Sequence, residues 1–210
     1  MQIVFLFYDG MTALDAIGPH EILCRLPGAT VKRTALLAGN IQTDCGLILQ
    51  ADHALGDVLH ADILCVPGAG NATTLQKHPE ILDWVRLIHA TTTWTTSVCT
   101  GSLILGAAGI LSEIKATTHW AALDRLTTWG SEPIQQRIVE SGKIITAAGV
   151  SAGIDMALTL AAKVSGDYVA KALQLGIEYD PEPPFDHGSP DKADPELLEI
   201  LRKRMVASFE

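Results

Sequence analysis

The chain of 210 residues is 48% hydrophobic and carries a formal net charge of −9, which allows one substantial buried core and makes a single domain over 1–210 the expectation. An acidic chain with pI near 5.2 and no Lys/Arg cluster beyond Arg202-Lys203-Arg204 excludes a nucleic-acid partner, which needs clustered cations to displace phosphate counterions. The opening apolar run Ile3–Tyr8 lacks a basic n-region and stops at Asp9-Gly10, so neither a signal peptide nor a membrane span is expected, and a cytoplasmic location is the default.

Residues 2–8 are short and rich in β-formers and read as a buried strand. A helix is expected from Leu14 to Leu26, with Leu14, Ile17, Ile22, Leu23 and Leu26 as its apolar stripe and Pro19 tolerated near its first turn. Strands are expected at 30–37, 46–50 and 62–66, the last closed by Pro67-Gly68-Ala69-Gly70, followed by an amphipathic helix at 79–89. A Thr-rich strand at 92–98 then meets a small-residue helix at 100–108, and a short helix spans His119 to Leu126. Residues 134–139 and 143–147 flank Glu140-Ser141-Gly142 as a hairpin, helices follow at 151–164 and 168–175, and proline-rich 180–190 is an extended surface segment before one closing helix. Strands alternating with helices predict an α/β sandwich with a mainly parallel sheet that binds its ligand at the strands' carboxyl ends.

Ser97-Val98-Cys99-Thr100-Gly101-Ser102 lies where a strand meets a helix of small residues, so Cys99 is the candidate nucleophile on a sharp turn. A helix N-terminus contributes up to ~2 kcal/mol to a nearby anion, or ~1.5 pKa units, which predicts a sizeable thiolate fraction. Gly149-Val150-Ser151-Ala152-Gly153 is a formal G-x-S-x-G with His187 as the one downstream histidine, but Ser151 also fits a helix N-cap and Asp155 a first-turn acid. The backbone amides of Ala69 and Gly70, in the turn ending Gly70-Asn71, are candidates to hold a developing anion. Thr73 replaces the third glycine of a dinucleotide fingerprint, so no nucleotide cofactor is implied. His20-Glu21-Ile22-Leu23-Cys24 puts His20 and Cys24 on one helix face without an evident third ligand, so no metal is expected. The cysteines Cys24, Cys45, Cys65 and Cys99 lack CxxC pairing, and most of them are expected to be free thiols.

Val98-Cys99-Thr100-Gly101-Ser102 together with the Pro67–Gly70 turn, Thr117-Thr118-His119-Trp120 and Gly149–Asp155 resembles the DJ-1/PfpI superfamily. The resemblance runs from the first strand to about Gly176. It implies a class I glutamine-amidotransferase-like α/β sandwich with helices on both faces, a homodimer, and Cys99 as the elbow cysteine. Many members carry His after the cysteine and Glu on the first helix; this chain has Thr100 and Asp15 instead. That combination is the one found in the isonitrile-hydrating branch of the family. It implies a small-molecule substrate, addition of water to an isonitrile to give an N-substituted formamide, and no cofactor. In that reading Cys99 attacks, Asp15 with a raised pKa is the acid and then the base, and Thr100 positions water or substrate. A cysteine-dependent hydrolase or deglycase of the same fold, and a non-catalytic sensor or chaperone, stand as alternatives. Family members that are transcription regulators append a helix-turn-helix module, for which no room is expected here.

Overall fold

The computed structural model describes residues 1–70 and 78–208. In chain order the elements are β1 (Gln2–Leu6), α1 (Ala13–Leu23), β2 (Thr30–Ala35), β3 (Gly39–Gln42), β4 (Ile48–Ala51), β5 (His53–Ala54), β6 (Ile63–Val66), α2 (Pro79–Thr91), β7 (Trp94–Val98) and α3 (Gly101–Ala107). There follow β8 (Lys115–Ala116), a 3₁₀ helix (Trp120–Trp129), β9 (Glu132–Pro133), β10 (Ile138–Ser141), β11 (Ile144–Ala147), α4 (Ala152–Ser165), α5 (Asp167–Gly176) and α6 (Pro195–Ser208).

Seven strands form one sheet in the order β10-β11-β7-β6-β1-β2-β5, parallel throughout except for the β10/β11 hairpin. Its central strands β1 and β6 are almost wholly buried, which is why they read as apolar runs rather than as alternating patterns. Helix α4 packs on α1 and α5, while α3 packs on α2. Right-handed crossovers put these two layers on opposite faces, because α1 leads from β1 towards one edge and α2 and α3 lead towards the other. The expected α/β sandwich is therefore present.

From β1 the chain runs outward to β2 and β5 and then returns to β6 on the other side of β1. This reversal opens a crevice at the carboxyl ends of β1 and β6, the place where an open α/β sheet accommodates a ligand. The segments after β1, β6, β7 and β11 meet there.

Local patterns missed several features, among them the short strands β5, β8 and β9 and the end of α1 at Leu23 rather than Leu26. Pro19 lies inside α1 rather than in its first turn, where it packs beside Val98 against Gly153 of α4; a methyl group at 153 would sit 3.1 Å from the proline ring. Leu14 and Ile17 face outward, and α1 instead buries Asp15, Ala16, Gly18, Pro19, Ile22 and Leu23. An additional strand, β3, pairs with β4 in a hairpin that the polar sequence of 39–42 did not announce. The helix at 119–126 is a 3₁₀ helix, begun by His119, whose ring Nδ1 accepts from the Ala121 amide at 3.2 Å.

Candidate active site

Cys99 is the residue after β7, and its backbone has φ 56°. A non-glycine residue in this left-handed region costs on the order of 1–3 kcal/mol unless its surroundings hold it there. Here the Cys99 amide donates to the carbonyls of Ala147 (3.1 Å) and Ala148 (3.0 Å). Its carbonyl accepts from Thr118 Oγ1 (2.9 Å) and Ser102 Oγ (3.2 Å). Val150, a β-branched residue, also has positive φ, at 30°, so two outliers flank one sulfur.

The turn after β6 approaches this elbow so closely that only glycine fits. A methyl group at 68 would lie 2.5 Å from the Thr100 nitrogen, and one at 101 would lie 2.1 Å from the Val66 carbonyl oxygen. The buried Tyr8 hydroxyl donates to the Pro67 carbonyl at 2.8 Å and ties the same turn to the end of β1. In the first turn of α1, Asp15 is 1% exposed, and its Oδ2 accepts from the Gly68 amide at 2.9 Å. Oδ1 is buried without a partner of good hydrogen-bond geometry. The Cys99 sulfur lies beside this carboxyl, where a shared thiol proton favours the carboxylate.

Burial dominates the electrostatics. It pushes the Asp15 carboxyl up to about 7, against the opposing Gly68 and Cys99 hydrogen bonds and with some help from the charge of Asp44. Asp44 sits in the β3–β4 turn, where its carboxylate accepts from Thr12 Oγ1 at 2.6 Å. The Cys99 thiol is pushed well above its ordinary range, first by burial and then by the Asp15 charge, with the amides of Thr100 and Val150 and the Thr100 hydroxyl acting in the opposite sense. This corrects the expected thiolate. The end of α3, a seven-residue helix, does not offset the desolvation of a buried sulfur beside a carboxylate. Below about pH 7 both groups keep their protons; above it Asp15 is ionised and the pair holds one proton, which rests on sulfur.

Two further expectations are corrected. The Ala69 amide does not face the crevice: it donates to Thr100 Oγ1 at 2.8 Å, and Thr100 Oγ1 is in reach of the Ala69 carbonyl at 2.7 Å. Thr100 is fully buried, so its hydroxyl clamps the turn and has the Cys99 sulfur as its other acceptor; it does not hold water in the cleft. Gly70 lies exposed at the edge of the described chain, beside Asp9 and Asp44, and Asn71 and Thr73 fall outside the described residues. The donors that face the sulfur are the Thr100 and Val150 amides. Tyr8, Thr118 and Val150 were missed because their parts depend on contacts between distant segments. Positive φ at Val150 had one sequence signal, the small residues Gly149 and Ala152 around it.

Elsewhere the candidates separate. Ser151 Oγ accepts from Arg137 at 3.3 Å, and His187 pairs with Asp194 at 3.3 Å, so the histidine expected to serve Ser151 is engaged elsewhere. His119 is buried and its basicity is lowered by desolvation, and Cys99 is not among the groups that shift it. His20 packs against the Phe5 ring, and the Cys24 thiol is directed at the Glu21 carbonyl. Among the described residues no group of three or more His, Cys, Asp or Glu is arranged to hold a metal, and no helix is long and apolar enough to cross a membrane.

Comparison with known proteins agrees with this geometry. Isonitrile hydratase of Pseudomonas putida is 40% identical over 210 residues, covering all of this chain and 92% of that protein. The HTH-type transcriptional regulator CdhR of Pseudomonas aeruginosa is 31% identical over 173 residues, 79% of this chain and 51% of the regulator. A solved ThiJ/PfpI family protein from Pseudomonas syringae superposes with TM-score 0.95 at 36% identity, over 98% of this chain and 86% of its own. Drosophila melanogaster DJ-1beta, at 17% identity and TM-score 0.75 over 84% of this chain and 97% of its own, shares the fold. With residues 1–163 matching the family as a whole and the strained cysteine at its elbow, the chain belongs to the DJ-1/PfpI family.

Proposed function

We propose that the protein hydrates an isonitrile to the N-substituted formamide, with Cys99 as nucleophile and Asp15 as the proton-transferring acid and base. The observation that carries this reading is the buried Asp15 carboxyl, one oxygen fixed by Gly68 and the other unpartnered, set beside the Cys99 sulfur. The full-length similarity to an isonitrile hydratase supports it.

An isonitrile carbon accepts a proton and a nucleophile on the same atom. The pair supplies both: sulfur bonds to that carbon and the single proton of the Cys99–Asp15 pair passes to it, giving the thioimidate Cys–S–CH=N–R and leaving Asp15 ionised. Asp15 then takes a proton from water as the hydroxide adds to the same carbon, and passes that proton to the nitrogen, giving Cys–S–CH(OH)–NH–R with Asp15 ionised again. As the adduct collapses, its hydroxyl proton goes to Asp15, the C=O bond forms, the C–S bond breaks and R–NH–CHO leaves, and the displaced thiolate takes that proton from Asp15. The amides of Thr100 and Val150 favour the thiolate each time it forms. Thr100 is a positioning residue that locks the Ala69 turn over the elbow.

The same reading includes a homodimer, which the outward-facing Leu14 and Ile17 of α1 support, and a cytoplasmic location, in keeping with four unpaired cysteines. The test is formation of the formyl proton signal from several isonitriles by the purified protein, with Cys99→Ala and Asp15→Asn beside it. Turnover by the wild type and its loss in both variants is expected. A folded wild type that leaves every isonitrile intact overturns the reading.

A further inference from the structure

Two backbone amides face the Cys99 sulfur, and one of them, that of Thr100, shares its peptide plane with the Cys99 carbonyl. We propose that Thr118 is a positioning residue of the reaction: by donating to the Cys99 carbonyl, its hydroxyl holds this peptide so that the Thr100 amide points at the sulfur. The proposal deepens the hydratase reading and rests on it for the reaction that Cys99 performs.

A trans peptide is a rigid plane whose C=O and N–H point in opposite directions. Fixing the Cys99 carbonyl on one side therefore fixes the Thr100 amide on the other. An accepted hydrogen bond at the carbonyl also polarises the peptide and makes its N–H the stronger donor. Two hydroxyls donate to this carbonyl, Thr118 Oγ1 at 2.9 Å and Ser102 Oγ at 3.2 Å. Ser102 lies three residues along the same turn and moves with the peptide it contacts, whereas Thr118 reaches in from another segment, 19 residues away in sequence. Return of Cys99 from φ 56° to an ordinary negative φ would swing the carbonyl away and leave the buried Thr118 hydroxyl without its acceptor, so the bond opposes relaxation of the elbow.

Thr118 can serve as a fixed point because its own segment is anchored independently of the elbow. Thr117 donates its amide to Thr146 Oγ1 of β11 at 2.9 Å and its hydroxyl to the Gln136 carbonyl at 2.9 Å. On the other side, the His119 carbonyl accepts from the Ala122 amide at 2.8 Å. The His119 ring lies against Gly149, where a methyl group would come within 2.7 Å of its Cδ2. Three consecutive buried residues thus reach β11, the elbow and the turn that carries the second amide, that of Val150.

The experiment compares Thr118→Val and Thr118→Ser with the wild type in two assays. One measures kcat and KM for isonitrile hydration; the other measures the rate at which iodoacetamide alkylates Cys99 at about pH 8, followed by the mass of the peptide that contains it. Valine keeps the branched shape and removes the donor, while serine keeps the donor. Thr118→Val should lower kcat about tenfold with KM within about twofold, and should slow Cys99 alkylation about tenfold, because a thiolate that loses its amide donor is populated less. Thr118→Ser should rescue both to within about threefold. Exposed Cys45 should react at one rate in all the proteins. Thr118→Ala repeats the comparison, so that a valine variant that fails to fold leaves the contrast between serine and alanine to decide. Either kcat or the alkylation rate unchanged within about twofold in a folded variant without the donor overturns the proposal. So does a serine variant as impaired as the one without the donor, since the methyl group rather than the hydroxyl would then matter. Alkylation slowed without the donor and rescued by serine, in a wild type that hydrates no isonitrile, sustains the role of Thr118 at the thiolate and removes the hydratase reading.

Discussion

Cys65 and Cys99 are both buried, on the neighbouring parallel strand paths of β6 and β7, and burial raises the pKa of both thiols. Cys65 sits in regular strand backbone, accepts a hydrogen bond from Thr96 Oγ1 at 3.1 Å, and is pushed up to about 12 with no carboxyl beside it. Cys99 stands one residue past its strand with φ 56°, faces two backbone amides, and shares its proton with Asp15. A buried thiol is inert by default. What distinguishes Cys99 is the strained elbow it stands on and a base beside it in the same dry pocket.

The largest effect should come from Cys99→Ala, which removes the nucleophile and lowers formamide production by on the order of 10⁴-fold or more; residual turnover above about one per cent would assign the chemistry elsewhere. Asp15→Asn should lower it by about 10²–10⁴-fold and also reveal the strain of burying that acid. The Asp15 pKa is raised in the folded protein, from 3.8 to about 7, so the fold gains from its protonation below about pH 4 and loses that contribution as pH rises through 7. Neutral Asn avoids the penalty. At pH 8 the variant should be the more stable by up to about 4 kcal/mol, with the two melting temperatures converging near pH 4. Equal melting temperatures at pH 8 would mean that Asp15 is not desolvated.

Gly68→Ala forces a methyl group to 2.5 Å from the Thr100 nitrogen, and should cost about 1–3 kcal/mol in denaturant unfolding while displacing Asp15 from the pair. Cys65→Ala should cost about 1–2 kcal/mol in the same unfolding assay, yet leave kcat/KM near the wild-type value, because that thiol has no partner in the chemistry. If Cys65→Ala abolished turnover, the contrast between the two cysteines would fail. The smallest effect is electrostatic. The wild-type kcat/KM should rise with pH through about 7 as Asp15 ionises, and Asp44→Asn, by removing a charge that raises the Asp15 pKa, should move that limb to lower pH by less than about one unit.

Much of this architecture was legible along the chain. The buried runs of β1 and β6, the β10/β11 hairpin at Ser141-Gly142 and the strand-to-helix junction at Cys99 follow from patterns of two to four residues, because periodicity and turn geometry are set by near neighbours. Local signals failed where another segment decides the outcome. Pro19 is accommodated mid-helix by Gly153, and Leu14 and Ile17 face outward because α4 takes the other side of α1. Asp15 shows the division most clearly, since a first-turn acid is an ordinary helix feature and only family resemblance singled it out.

The α/β alternation, the position of the elbow and the residue types that could react there are set by near neighbours along the chain. The tertiary structure alone decided that Asp15 meets Gly68 across 53 residues of chain, that the Ala69 amide turns towards Thr100, and that the Cys99 proton is held rather than released. Desolvation and the direction of an amide are properties of what crosses nearby in space. No window of neighbouring residues contains them.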